Sequence, residues 1–329
     1  MKLRHIPTLS ELPPPPQGKT GWPWTEESPK IPSGTLNDNL WPRIGIITPS
    51  YNQVNFVEQT IRSVLLQDYP NLEYMIIDGN STDGSQEVIR KYEEWLDYWV
   101  SEPDRGHAHA LNKGAARASG EIFGWLNSDD FFMPGALQCV AGMYREHSDA
   151  VAWIGGCYRI KPDGLILSRV IPRNLDRDSL ADWWWQGNFF QPSCFFTNRA
   201  WKELGYLDEN LYIAFDVEWW LRLATLGKFA STSEMISVAT IHQEAKTQKF
   251  RGMKMRSDMS IVQTRYGYQD YQKITNSWLV RSMKSKLVRR RVMQALGEIL
   301  MSRVHRYCPW EWRRHPRQIQ TVLSEMSDQ

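Results

Sequence analysis

From Arg43 onward the chain alternates between short apolar runs and stretches whose apolar residues recur at helical spacing. RIGIITP opens the series, and Val57, Ile61, Val64 and Leu65 follow at intervals that put them on one helix face. EYMIID then reads as a strand ending at Asp78, with a helix from about Ser85 to Trp95. YWVS reads as a third strand, a helix runs from about Ala108 to Ala118, and EIFGWLN is a fourth strand ending near Asn127. Strands separated by helices require right-handed crossovers, which give a mainly parallel sheet with helices on both faces. The expected fold class is therefore α/β.

In open sheets of this kind, ligands bind outside the carboxyl ends of the strands. Here those ends are polar throughout: Thr48-Pro49-Ser50-Tyr51-Asn52, then Asp78 to Gly84, Asp104-Arg105-Gly106, and Asn127-Ser128-Asp129-Asp130. No G-x-G-x-x-G follows the first strand, which argues against a dinucleotide oxidoreductase. Gly18-Lys19-Thr20 resembles the end of a phosphate loop, but Pro13 stands where that loop needs glycine and no strand precedes it.

Asp129 and Asp130, beside the Asn127 amide, are hard oxygen ligands suited to Mg²⁺ or Mn²⁺ together with a diphosphate. The competing reading makes Ser128, Asp129 or Asp130 the N-cap of a helix beginning near Met133 or Pro134. Asp78 ends an apolar strand, where a buried carboxylate needs a partner. That partner is either a nucleobase or ribose, or the backbone N–H groups of its own turn, the reading that weighs more for Asp83.

ITPSYNQ, IIDGNSTDGS, SEPDRGHAHALNKG and GWLNSDD, in this order and spacing, resemble family 2 glycosyltransferases from Arg43 to about His242. The resemblance implies an inverting enzyme with a single α/β domain of the GT-A type. It places Thr48, Ser50, Tyr51 and Asp78 at nucleoside-binding positions, Asn112 and Lys113 in a donor-side pattern, and Asp129 at the metal-binding acid of a D-x-D signature. Asn127 stands where an aspartate is usual; its carbonyl can accept from a ribose hydroxyl, but it brings no charge to a metal. Asp130 is the adjoining metal candidate. In AFDVEWWLRLATLGKF, read as a helix with Trp219, Leu223 and Leu226 on related faces, Asp216 matches the family's acceptor-activating base. The residues alone favour an ordinary first-turn acid there, and Glu218 points elsewhere. His242, in TIHQEAKTQ, matches a position near the metal or diphosphate.

The implied activity is hexosyl transfer from a nucleotide-diphosphate sugar to a hydroxyl of a glycan or lipid-linked acceptor, in polysaccharide biosynthesis of a cell envelope. The alternatives are an impaired nucleotide-sugar or glycan binding module, suggested by Asn127, and a sugar-nucleotide nucleotidyltransferase, whose basic glycine-rich loop is missing after the first strand. His107 and His109 lie two apart and would not share a helix face, so a zinc pair is not expected. The tryptophans of Trp183-Trp184-Trp185 and Trp219-Trp220 are expected to be mostly core, with one or two at a cleft.

The division expected is a Pro-rich extended segment over 1–42, lying along the surface, a catalytic domain over 43–250 with a nucleotide-sugar half (43–130) and an acceptor half (131–250), and a basic helical extension over 251–329. Residues 277–320 carry 11 Lys and Arg against 2 Asp and Glu, leaving 28 against 35 elsewhere, so the overall charge of +2 joins an acidic body to a segment of +9. Its stripe of Leu279, Met283 and Leu287 shifts at Arg289-Arg290-Arg291 to Val292, Leu296, Ile299 and Leu300, so two helices are expected. Such a segment suits either an anionic membrane surface or the acidic body itself; no nucleic-acid motif accompanies it. Cys139, Cys157, Cys194 and Cys308 fall into no disulfide or zinc pattern, and no run approaches the ~18 apolar residues of a membrane span. The place expected is the cytoplasm, peripheral to the inner face of the membrane.

Overall fold

A computed structural model describes residues 5–31, 41–181, 183–249 and 253–266. The chain divides into two units, 1–262 and 263–329. The basic segment and its two expected helices lie outside the described residues, as do the side chains of Trp184 and Trp185.

The first unit is built on one mixed sheet in the order β3-β2-β1-β4-β8-β6-β9-β5, with β7 paired to β6. β1 (Ile44–Ser50) is its axis, buried along its whole length, parallel to β2 (Leu72–Asp78) on one side and to β4 (Ile122–Trp125) on the other. β3 (Tyr98–Ser101) continues the parallel half beyond β2. Strands buried on both faces read as unbroken apolar runs, which is why IGIIT and YMII stand out in the sequence. The crossovers are α1 (Val57–Leu65), α2 (Ser85–Arg90) and α3 (His107–Ala115); Val57, Ile61, Val64 and Leu65 all face the core. α2 is shorter than its apolar spacing suggests, with a separate single turn at Glu93–Trp95. At Gly114 a Cβ would come within 2.6 Å of Ile47, so glycine is what lets α3 lie close on β1.

The other half is antiparallel where β4 meets β8 (Cys194–Thr197) and where β8 meets β6 (Ala152–Ile160), then parallel between β6 and β9 (Phe229–Thr240). β5 (Phe131–Phe132) closes the far edge against β9. α4 (Ala136–Glu146), the short α5 (Arg177–Ala181) and α6 (Trp183–Gln186), α7 (Asn198–Leu204) and α8 (Phe215–Leu226) complete this half. After β9 come α9 (Lys246–Lys249) and α10 (Met253–Arg265). Trp219 and Trp220 are core residues: Trp219 packs 4.4 Å from Trp201, and Trp220 lies 4.4 Å from Phe189 and 5.6 Å from Trp183.

The Pro-rich segment forms neither helix nor strand over 5–31, but it is packed, burying Leu12 and Trp24. Its anchor is Arg62, a fully buried cation in the middle of α1. Arg62 donates to the carbonyls of Pro13 (2.7 Å), Pro23 (3.0 Å) and Trp24 (3.1 Å) and to the Tyr92 hydroxyl (3.2 Å). Composition marks the segment as irregular, but it does not reveal that an irregular segment can satisfy a buried arginine. Replacing Arg62 by leucine removes all four donations and the anchor of the segment. The expected cost is about 3 kcal/mol, read by thermal melting as a Tm lower by roughly 6 to 12 °C.

Candidate functional site

The loops after β1 and β2 are stitched into one surface. Asn52 N donates to Ser81 Oγ (2.8 Å), Gln53 N to Ser85 Oγ (2.9 Å), Val54 N to Asp83 Oδ2 (2.9 Å) and Thr82 N to Asn52 Oδ1 (2.9 Å). Asn52 and Asn80 take positive φ, a conformation that asparagine tolerates better than most residues. Asp83 is thus the organiser of a turn. The arrangement fixes a shelf from which Tyr51 projects, 63% exposed.

Asp78 sits beneath this shelf, fully buried and opposite Ser50 in the β1–β2 register. It accepts from Ser81 N (2.8 Å), Ser81 Oγ (2.5 Å) and Ser101 Oγ (2.6 Å). A carboxylate offers about four acceptor sites, so three are taken within the fold. Thr48 is also buried, its hydroxyl 3.2 Å from that of Tyr74, and Ser50 Oγ is buried with no partner. Of the four nucleoside candidates, then, Tyr51 alone is open in this conformation.

A residue that the sequence motifs left without a role completes the shelf. Asp104, in the loop after β3, accepts from Gly106 N (2.7 Å) through one oxygen and turns the other toward Gly79. A Cβ at Gly79 would meet that oxygen at 2.6 Å and the Tyr51 ring at 3.3 Å. Asn112 and Lys113 face other partners. Asn112 donates to Leu207 O and Glu209 Oε1 and accepts from Leu207 N, fastening α3 to the loop before α8. Lys113 donates to Pro103 O (3.2 Å) and pairs with Glu102 (2.8 Å).

After β4, the adjacent acids diverge. Asp129 Oδ2 meets His242 Nε2 at 3.0 Å, joining the end of β4 to the end of β9, and the His242 ring stacks on Phe56 at 4.5 Å. Asp130 turns inward and accepts from Thr240 N (2.9 Å) and Asn127 Nδ2 (3.1 Å). Burial, reinforced by the Asp129 charge, pushes its carboxyl well above the usual range. Neither acid caps α4, whose N-cap is Gly135 with no side-chain cap bond. Asp129 and His242 suit a divalent ion: 3.0 Å is about the spacing of neighbouring ligands around an octahedral ion with bonds of roughly 2.1 Å. Among the described residues no group of three or more His, Cys, Asp and Glu is placed to hold an ion unaided, so phosphate oxygens and water would have to supply the remaining positions.

The opposite wall comes from α8. Asp216 lies in its first turn, accepts from Val217 N (2.7 Å), and is pushed by burial up to about 7. The turn that presents it is held by Asp258 of α10, which accepts from Ile213 N (2.6 Å) and Ala214 N (3.4 Å). Lys246 packs 4.0 Å from the centre of the Tyr212 ring, within the electrostatic reach of Asp258, Asp216 and Asp104. Burial brings its ammonium down to about 8. Glu218 faces away and pairs with Arg222 at 2.8 Å.

The sequence spacing speaks against His107 and His109 only as a zinc pair. The two histidines do face different partners, His109 accepting from Arg105 N at 3.1 Å. His107, however, lies against the Asn127 amide and 4.9 Å from Phe215. Its Nε2 and Asn127 Oδ1 are both buried without a well-formed hydrogen bond. Burial, with the Lys246 charge, lowers the imidazole to about 3, so it is neutral.

The site therefore brings together Tyr51 and Asp104, Asn127 with His107, Asp129 with His242, and Asp216 with Lys246, all at or near the carboxyl ends of the strands. Residues 45–204 match the sequence model described as "Glycosyl transferase family 2". The chain is 26% identical over 259 residues to the hyaluronan synthase of Pasteurella multocida, covering 75% of this chain and 26% of that one. It is 34% identical over 145 residues to the putative teichuronic acid biosynthesis glycosyltransferase TuaG of Bacillus subtilis, covering 43% and 57%. The chain thus spans about a quarter and just over half of these two relatives. The fold resembles S. aureus TarS, solved in complex with UDP-GlcNAc, with a TM-score of 0.53 at 18% identity over 63% of this chain and 61% of that one. The polar strand ends from Thr48 to Asp130 lie inside the matched region, so over residues 45–204 the chain matches glycosyltransferase family 2, while Asp216 and His242 lie beyond it.

Proposed function

We propose that the protein transfers a sugar from a nucleotide-diphosphate donor to a hydroxyl acceptor, by one displacement with inversion at the anomeric carbon. The observation that carries this reading is the meeting of Asp129 and His242 at 3.0 Å on the same strand-end rim as Asp216. The relatives named above are a hyaluronan synthase and a putative teichuronic acid biosynthesis glycosyltransferase, and TarS was solved with UDP-GlcNAc, which supports a nucleotide sugar as donor and a cell-envelope polysaccharide as product.

Tyr51 and Asp104 receive the nucleoside, the ring as a stacking face and the carboxylate as an acceptor for base or ribose. Thr48, Ser50 and Asp78 position that shelf from below. Asp129 and His242 would hold Mg²⁺ or Mn²⁺, and Asn127 stands by as a neutral acceptor for a sugar or ribose hydroxyl. Asp130 serves as a buried brace that aims Asp129. A divalent ion held there would supply positive charge against the departing diphosphate. Asp216 takes the proton of the acceptor hydroxyl as its oxygen bonds to the anomeric carbon and the bond to the diphosphate breaks. A carboxyl poised near neutral pH suits that task better than an ordinary aspartate, being a stronger base when ionised. Lys246 favours the ionised form of Asp216. Cytoplasmic donors would fit this chemistry.

The experiment is a turnover screen. UDP-, GDP- and dTDP-sugars are incubated with the protein, Mn²⁺ and an acceptor panel, and nucleoside diphosphate release is followed, with the product anomer read by NMR. Release with an inverted anomer supports the reading. Binding of a nucleotide sugar without release under any acceptor would instead make the chain a binding module, and a retained anomer would exclude the single displacement.

A further inference from the structure

β7 (Ile166–Val170) is an edge strand on the end of β6, whose residues Cys157 to Ile160 pair with β7 on one side and β9 on the other, and the β6–β7 ribbon ends at the catalytic side of the sheet. Ile160, at its base, is in register with Thr240, and Ile241 N donates to Ile160 O (2.8 Å), so the ribbon rises beside His242. Its tip is a tight turn: Gly164 N donates to Lys161 O, Lys161 N to Leu165 O, and Leu165 N to Asp163 Oδ1.

Beyond the turn the chemistry is unusual for a surface. Leu165 is 54% exposed, Ile166 58%, Leu167 42% and Ile171 46%. Ile166 and Leu167 are successive strand residues and point to opposite faces, so with Leu165 of the turn they put apolar side chains on both faces at this end of the ribbon. Among the described residues, β7 pairs with β6 alone, leaving its outer edge open. Around this apolar patch, residues 159–173 carry Arg159, Lys161, Arg169 and Arg173 against the single acid Asp163, whose carboxylate is occupied within the turn. Lys161, Arg169 and Arg173 are exposed.

We propose that this ribbon docks the protein on an anionic bilayer, with Leu165, Ile166, Leu167 and Ile171 entering the headgroup–acyl boundary and Lys161, Arg169 and Arg173 resting on the headgroups. Aliphatic residues ringed by cations form the pattern that binds such an interface. A second copy of this chain is the poorer partner, because a two-fold contact would set the same cations against one another. The placement beside His242 turns the strand-end rim toward the membrane surface, where a lipid-linked acceptor would present its hydroxyl. That consequence, though not the docking itself, rests on the transferase reading.

The test is amide hydrogen exchange of the full chain, free and with vesicles of phosphatidylcholine alone or with about one third phosphatidylserine. Residues 160–172 are expected to gain protection with anionic vesicles only. The variant Leu165→Ser/Ile166→Ser/Leu167→Ser, altered only at exposed positions, is expected to bind those vesicles at least tenfold more weakly in sedimentation. Vesicle binding that leaves the ribbon's exchange unchanged would place the contact elsewhere and overturn the proposal. Protection that grows with protein concentration in the absence of vesicles would overturn it in favour of self-association. An unprotected ribbon in a chain that still releases nucleoside diphosphate removes the docking and keeps the transferase. Protection in a chain that binds no nucleotide does the reverse.

Discussion

Asp216→Asn is expected to lower sugar transfer by about a thousandfold at neutral pH while leaving nucleotide binding within about twofold. The amide keeps the size of the carboxylate but cannot take a proton. The pH profile carries the stricter form of this result. Because only the ionised carboxylate is a base, and burial holds Asp216 at about 7, wild-type transfer should fall as pH drops through 7, and the residual rate of the variant should lack that limb. Lys246→Met, which removes a charge favouring the carboxylate, should move the limb to higher pH. Stability gives an independent check with the opposite sign. A folded-state value above the unfolded one means that the folded protein holds the proton more tightly, so this contribution to stability is full at low pH and is lost as pH rises through about 7. Asp216→Asn should therefore melt higher than the wild type above neutral pH, the pattern of a site that trades stability for function. Wild-type transfer by the variant would remove Asp216 from the mechanism.

Asp129→Ala is expected to reduce kcat/KM by at least a hundredfold, with saturation by Mn²⁺ shifted to higher metal concentration or lost. His242 alone would remain to hold the ion. Asp130→Ala separates the two neighbours: it leaves Thr240 N unpaired and buried, so its main effect should be a loss of about 1 to 3 kcal/mol of stability. Equal metal phenotypes for the two variants, measured as metal dependence of initial rate, would contradict the division of labour drawn from their hydrogen bonds.

The parallel half of the fold is legible because its signals are local. Val57, Ile61, Val64 and Leu65 announce their helix face, and β1 and β2 close on Ser50 and Asp78 at the edge where the sheet opens. Asp129 stands out in its strand-end motif, whereas Asp216 and His242 become candidates only through the family resemblance. What stayed hidden depends on contacts far apart in sequence. β9 is inserted between β6 and β5, and nothing in the local pattern of FASTSEMISVAT reports that pairing. Lys246 stands in a polar stretch without periodicity, and its meaning comes from Tyr212 and three acids on other elements. Asp78 looks in sequence like a residue awaiting a ligand, yet Ser81 and Ser101 already satisfy most of it, a fact carried by the β2–β3 pairing. Arg62 reads as the polar side of α1 until residues 13–24 fold over it.

A nucleoside diphosphate and a divalent ion are expected to bind together at the strand ends. Thermal unfolding with UDP, GDP and dTDP, each with and without Mn²⁺, tests it most directly. A nucleotide at about a hundred times its Kd stabilises by about 2.7 kcal/mol, so one of the three should raise Tm by roughly 5 to 10 °C with Mn²⁺, much less without it, and little in Asp129→Ala. No shift with any nucleotide at millimolar concentration, or an equal shift with and without Mn²⁺ in both wild type and Asp129→Ala, would contradict it.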